Sequence, residues 1–349
     1  MNNANHLQKR GGIMKKKLIS LGLILGVLFS FAGCKSNNDL DDENGERLRV
    51  GVTINPLKDF AEAIGGDKVD VFSIIPDGSD AHNFDPKPKD LNELVKSDIF
   101  IYNGLGMEEW IDSVLTTVEG KDVKIVEASV GVDEIILSDE DSHEHVTEES
   151  EEEDDHDHEH AEESEEHSEE EDDHDHDHDH GGVDPHTWLS LSNAVIEAEN
   201  IKNAFCEADP ENKDYYEENF ENLKKEFNSL YEEYLPKFNE LTNKDFVTGH
   251  AAFGYLCRDF GLTQNSIADV FGEGELTPKN LEALINYCKE NGVKTIFSES
   301  TASEKEAETL AKEVGAKVVK IYSLETKEDN MTYLEGMRYN LETIYNSLK

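Results

Sequence analysis

The chain alternates short, dense apolar runs with longer amphipathic stretches. Leu48–Ile54, Val69–Ile75, Asp98–Tyr102 and Val123–Val126 are runs rich in β-branched residues. A second series follows at Asp245–Thr248, Lys294–Phe297 and Lys317–Tyr322. Apolar runs of about five residues, separated by helical periodicity, predict strands buried on both faces, hence parallel sheets of the βαβ kind. The two series echo each other. Pro88-Lys89-Asp90-Leu91 with Leu94 leads into the strand at Ile99, and Pro278-Lys279-Asn280-Leu281 with Leu284 leads into the strand at Thr295. Proline suits a first helical turn, where a missing N–H loses no partner, so each motif starts a helix. The pattern predicts two related α/β lobes, over 47–210 and 242–349.

Between the lobes lies one long helical pattern. From Asp214 to Leu241 the residues Tyr216, Phe220, Leu223, Phe227, Leu230, Tyr234 and Phe238 recur every three or four positions, with Pro236 near the end. That is one apolar face on a helix roughly 40 Å long at 1.5 Å per residue. A linking helix over 211–241 of this kind is a rigid strut.

The N-terminus bears on compartment. Lys15-Lys16-Lys17 precede an apolar run from Leu18 to Ala32, ending in Phe31-Ala32-Gly33-Cys34. The run is short of the roughly 20 residues a membrane span needs, and its flanks are those of a secretory signal over 1–33. Met14 directly precedes the lysines, so residues 1–13 are expected to be an upstream extension. Cys34 after Ala-Gly resembles a bacterial lipobox, which implies a lipidated Cys34, with membrane lipid as a partner on the extracytoplasmic face of the cell membrane. The polar residues 34–46 read as a flexible tether.

Charge changes the picture in one place. The 349 residues carry 79 Asp and Glu against 32 Lys and Arg, a formal charge of −47. Between 139 and 180 stand 25 of the acids, 10 of the 14 histidines, and no lysine or arginine. Without that stretch the charge is −22. No basic surface is available to neutralise phosphates, which excludes a general nucleic-acid binder. The stretch cannot form a core and is expected to be a disordered loop. Within it His156, His158, His160, His174, His176, His178 and His180 alternate with carboxylates, a pattern suited to weak, exchangeable binding of divalent metal at auxiliary sites. Cys206, Cys257 and Cys288 form no even framework; they read as free thiols, with a Cys257–Cys288 bridge as the alternative.

Outside the acidic stretch and the leader only three histidines remain. His82 follows the turn-rich Pro76-Asp77-Gly78-Ser79-Asp80-Ala81, His186 lies in Asp184-Pro185-His186-Thr187-Trp188, and His250 ends the strand in Val247-Thr248-Gly249-His250. Strand ends and loop–helix junctions are where open α/β sheets gather ligands. Three imidazoles converging there with one carboxylate make a tetrahedral site suited to Zn²⁺. Such nitrogens must be unprotonated to bind, so affinity is expected to fall through the imidazole range near about pH 6.5.

These segments in this order, together with Tyr102-Asn103-Gly104-Leu105-Gly106-Met107-Glu108, Thr248–Tyr255 and Tyr333–Asn340, resemble the zinc-binding lipoproteins of bacterial ABC importers, solute-binding proteins of the zinc/manganese cluster. The resemblance covers about 47–349. It implies two lobes with parallel sheets, a long rigid helix joining them, a metal site between them, and monomeric capture of Zn²⁺ as transported ligand for a membrane permease. His82, His186 and His250 match the three family histidines. The fourth ligand in the family is a late acid after a strand, for which Glu325 is the choice here, with Glu328 and Asp329 as runners-up and Glu299 as a supporting acid. Manganese-type relatives carry Glu where this chain has His250, and a third nitrogen moves preference toward zinc. The competing readings are a manganese-type carrier, a zinc metalloenzyme and a zinc-containing cell-adhesion protein. No compact His-Glu-x-x-His motif supports the enzyme.

Overall fold

A computed structural model describes residues 47–137, 182–270, 272, 277–300 and 302–349. The first lobe runs β1 (Leu48–Val52), α1 (Asn55–Gly65), β2 (Val69–Ser73), α2 (Pro88–Leu94), β3 (Ile99–Tyr102), α3 (Ile111–Val118) and β4 (Lys124–Glu127). Its sheet is parallel throughout, in the order β2-β1-β3-β4. Then come α4 (Leu191–Ala208) and α5 (Lys213–Asn239). The second lobe follows with β5 (Asp245–His250), α6 (Gly254–Phe260), β6 (Thr263–Ala268), α7 (Pro278–Glu290), β7 (Thr295–Ser298), α8 (Glu304–Val314) and β8 (Lys317–Lys320). This sheet is also parallel, in the order β6-β5-β7-β8, and α9 (Tyr333–Leu348) closes the chain.

Taken in chain order, both sheets read second, first, third, fourth. The sequence echo has the same basis: Pro88 opens α2 between the second and third strands, and Pro278 opens α7 at the equivalent place. Each sheet has its topological switch between its first and third strands, at whose carboxyl edge a crevice opens. That edge bears His250 at the end of β5 and Glu299 just past β7.

One strand escaped the hydrophobic pattern. β6, Thr-Gln-Asn-Ser-Ile-Ala, is largely polar because it is an edge, and its parallel pairing with β5, from Asp245↔Thr263 to His250↔Ala268, is carried by backbone rather than by apolar side chains. Conversely, the apolar run Leu48–Ile54 outlasts its strand, since Ile54 packs in the core after β1 has ended at Val52.

The strut spans the molecule as its periodicity requires. Tyr216, Phe220, Phe227, Leu230, Tyr234 and Phe238 are its buried face. Pro236 sits in the last turn, where the lost N–H bond and ring clash disturb little helix beyond it. Near its start Tyr216 meets Phe205 of α4 at 5.5 Å between ring centroids. In its middle Phe227 meets Phe60 of α1 at 5.4 Å and Tyr333 of α9 at 5.4 Å. Near its end Phe238 meets Phe260 of α6 at 5.0 Å. One continuous apolar cluster therefore runs from the first sheet through α5 to Phe246 and Phe297 of the second. Packing of this density leaves little room for relative sliding of the lobes.

The residues flanking the acidic stretch meet each other. Ile136 and Val183 form an antiparallel bridge, the Leu137 N–H donates to the Gly182 carbonyl, and the Asp184 N–H donates to the Ile135 carbonyl at 3.0 Å. Cys34, the leader, the tether and the seven loop histidines lie outside the described residues. Among the described residues no helix is long and apolar enough to cross a membrane, and Cys206, Cys257 and Cys288 are free thiols with no bridge between the last two.

Candidate metal centre

Each histidine reaches the centre for a local reason. His250 is the last residue of β5, where the strand leaves the sheet. His82 sits in the loop between β2 and α2, its backbone N–H held by Asp80 Oδ1 at 2.9 Å. His186 precedes a short 3₁₀ turn, and Asn103 clamps it from behind: the Asn103 side-chain amide donates to the Pro185 carbonyl at 2.9 Å. Asn103 is itself fixed by the buried carboxylate of Glu108, which accepts the N–H of Asn103 at 2.9 Å and of Gly104 at 3.1 Å. The Tyr102–Glu108 motif thus supports the site from underneath.

His82, His186 and Glu325 are buried, and each offers one donor atom such that all three lie within 4.8 Å of one another. His250 adjoins this group, its Nε2 3.8 Å from Glu325 Oε1, and the His186 Nε2 is 3.7 Å from the same oxygen. The His186 ring stands 5.4 Å from both the His82 and the His250 rings. Four donors around Zn²⁺ at about 2.0–2.1 Å lie roughly 3.3 Å apart in a tetrahedron. The two distances to Glu325 are within about half an ångström of that, while the donors of His82, His186 and Glu325 as a group lie within 4.8 Å of one another.

The protonation pattern follows from burial. Desolvation pulls the His186 imidazole down to about 3 and the His250 imidazole well below its ordinary range, the latter helped by His186 and His82 nearby. The same desolvation pushes the Glu325 carboxyl up to about 7, with Asp80 and Glu328 adding to the rise and a hydrogen bond from Ser323 opposing it. Glu299 is pushed up to about 8, again by burial. The His186 and His250 imidazoles are therefore held toward their neutral, lone-pair-bearing form. The raised carboxyl of Glu325 thereby adds its own proton to the expected pH response.

Sequence reasoning missed Asp184. Its Oδ1 lies 2.9 Å from His186 Nδ1 and also accepts the His186 backbone N–H at 2.9 Å. A carboxylate on Nδ1 places the ring proton there and aims the Nε2 lone pair into the cluster, as histidine ligands of metals are commonly oriented. The signal was in the sequence, since Asp184 stands two residues before His186 across a fixed proline. Glu299 takes a related position beside His250: its Oε1 is 4.0 Å from His250 Nδ1, and its Oε2 accepts the Gly249 N–H at 3.1 Å. Of the runners-up, Asp329 is turned outward to Tyr322 and Lys320, and Glu328 is only half-buried.

A family model described as ZnuA, zinc-uptake complex component A, periplasmic, matches residues 50–347. The chain belongs to the ZnuA family. The high-affinity zinc uptake system protein ZnuA of Bacillus subtilis (strain 168) is 34% identical over 342 residues, covering 96% of this chain and 99% of that one. The crystal structure of a Zn(II)-bound AdcAII mutant variant of Streptococcus pneumoniae superposes with a TM-score of 0.72 at 29% identity, covering 88% of this chain and 100% of that one. The manganese ABC transporter substrate-binding lipoprotein scaA of Streptococcus gordonii is 28% identical over 344 residues, covering 95% of this chain and 99% of that one. A ZnuA protein is the extracytoplasmic substrate-binding component of a zinc uptake complex and works with an ABC permease; it is not an enzyme.

Proposed function

We propose that this ZnuA-family chain captures one Zn²⁺ between His82, His186, His250 and Glu325 and hands it to its permease. The observation that carries the reading is the pairing of two buried, otherwise unsatisfied atoms. His186 Nε2 and Glu325 Oε1 face each other at 3.7 Å with no hydrogen-bond partner, while Asp184 holds the far side of the ring. Burying a polar atom without a partner costs about 1–3 kcal/mol, and a shared cation satisfies both at once. Three nitrogens and one oxygen favour zinc over manganese, because imidazole suits zinc and hard oxygen suits manganese. The support for His250 is its 3.8 Å approach to Glu325.

The finer reading of the chain's ends and insertion rests on sequence. Cys34 is the lipid attachment point, and the His/acid-rich loop gathers metal beside the cleft. The support for the loop reading is that its flanks meet at Ile136 and Val183, directly before Asp184 and His186 in the chain. The test is a competitive titration of the loop-deleted body with zinc and with manganese, for the parent and for His82→Ala, His186→Ala and His250→Ala. One tight zinc site, strongly weakened by each replacement and with weaker manganese binding, supports the reading. Unchanged zinc affinity in His250→Ala removes that residue from the site.

A further inference from the structure

The segment that delivers Glu325 is held in an unusual way. Leu324, directly before it, is buried and adopts a φ of 66°, a left-handed conformation that a branched residue avoids. Such a conformation persists only where its surroundings fix it. Here they do so from three sides. Asn340 of α9, fully buried, accepts the Tyr322 N–H at 2.9 Å through its Oδ1 and donates to the Tyr322 carbonyl at 2.7 Å through its Nδ2. Trp188 donates its indole N–H to the Ser323 carbonyl at 2.8 Å, and the Asn55 N–H at the start of α1 donates to the Glu325 carbonyl at 2.8 Å. Four residues earlier than Asn340, and so on the same face of α9, stands Gly336. A Cβ built there would lie 2.4 Å from Leu324 Cδ2. Glycine in a helix interior is unfavourable against alanine, so this position needs a reason, and the Leu324 side chain is that reason.

We propose that Gly336 and Asn340 are positioning residues for the metal site: α9 offers a notch for Leu324 and a two-point grip on Tyr322, and together these lock the turn that aims the Glu325 carboxylate at His186 and His250. This rests on reading Glu325 as the fourth ligand. A methyl group at Gly336 pushes Leu324 out of its notch and turns Glu325 away from the imidazoles, with no change to any residue that touches the metal.

The test is a double-mutant cycle in zinc affinity on the full chain, read at its tight site by chelator competition, with circular dichroism of each metal-free variant as the fold control. Gly336→Ala is expected to weaken zinc tenfold or more. Adding Leu324→Gly, which empties the notch and accepts the positive φ, restores most of the loss. In a Glu325→Ala background, Gly336→Ala changes affinity less than twofold, because there is no carboxylate left to aim. Asn340→Ser, too short to bridge both Tyr322 groups, runs the same cycle where Gly336→Ala fails to fold. An unchanged affinity in the folded Gly336→Ala, the same loss with and without Glu325, or no rescue by Leu324→Gly overturns the inference while the ligand reading stands. If Glu325→Ala alone leaves zinc affinity intact, the ligand reading falls and the inference with it.

Discussion

Lowering the pH during a zinc titration separates the carboxyl from the imidazoles as the group that competes with the metal. Free histidines would lose zinc near about pH 6.5. In the folded site burial holds His186 down to about 3, so it gains no proton between pH 8 and pH 5, and burial with His186 and His82 nearby disfavours a proton on His250. Glu325 is raised to about 7 and must lose its proton before the oxygen can bind. The sign follows: below about 7 the metal-free form carries a proton that zinc must expel, so affinity falls as pH falls. One proton costs about tenfold, or about 1.4 kcal/mol, per pH unit below the pKa. From pH 8 to pH 5 the Glu325 proton by itself therefore lowers affinity about 100-fold, some 2.7 kcal/mol. Asp184, raised to about 7 by burial, keeps an acceptor oxygen for His186 in either state and does not impose a second ligand proton. The assay is calorimetric or chelator-competition titration of the loop-deleted body across that range. Glu325→Gln is expected to bind more weakly and to flatten the profile. A midpoint near 6.5 with a slope of two or three, retained in Glu325→Gln, would refute the reasoning by showing that the imidazoles titrate as solvated groups.

Three further outcomes are expected. Asp184→Ala frees the His186 ring to rotate and change tautomer, and on the scale of such supporting contacts zinc affinity falls about 10–100-fold; an effect below twofold in the same titration removes Asp184 from that role. Deleting 139–180 joins two flanks already bridged at Ile136 and Val183, so melting temperature and the single tight site are retained while the weak sites disappear; an unfolded variant makes the stretch structural. Cys34→Ala releases the mature protein to the soluble fraction, since anchoring by two acyl chains is lost together; membrane retention on fractionation counts against lipidation.

Much of this architecture was legible because the strands are buried on both faces and so read as dense apolar runs. β3, Ile-Phe-Ile-Tyr, is the clearest case: Ile99, Phe100 and Ile101 are wholly buried. The strut was legible from the spacing of Tyr216 through Phe238, and the helix starts from Pro88 and Pro278. β6 was not, because an edge strand is specified by its neighbour's backbone rather than by its own composition. At the site the histidines stood out by scarcity and setting, whereas Glu325 was the choice the family resemblance implied. What the sequence could not express is distance. His186 at 3.7 Å from Glu325 and Trp188 bonded to the Ser323 carbonyl are consequences of packing between elements far apart in the chain. Burial likewise lowers His186 and His250 and raises Glu325, and no sequence pattern states how deeply such a group is desolvated.

The central claim is that four named side chains hold a single zinc ion. Anomalous diffraction at the zinc edge from crystals of the loop-deleted body grown with one equivalent of Zn²⁺ tests it most directly. One peak is expected, with the nitrogens of His82, His186 and His250 and an oxygen of Glu325 each about 2.0–2.2 Å from it, and His186 Nδ1 still bonded to Asp184. A peak coordinated without Glu325, or one that excludes any of the three histidines, would contradict it.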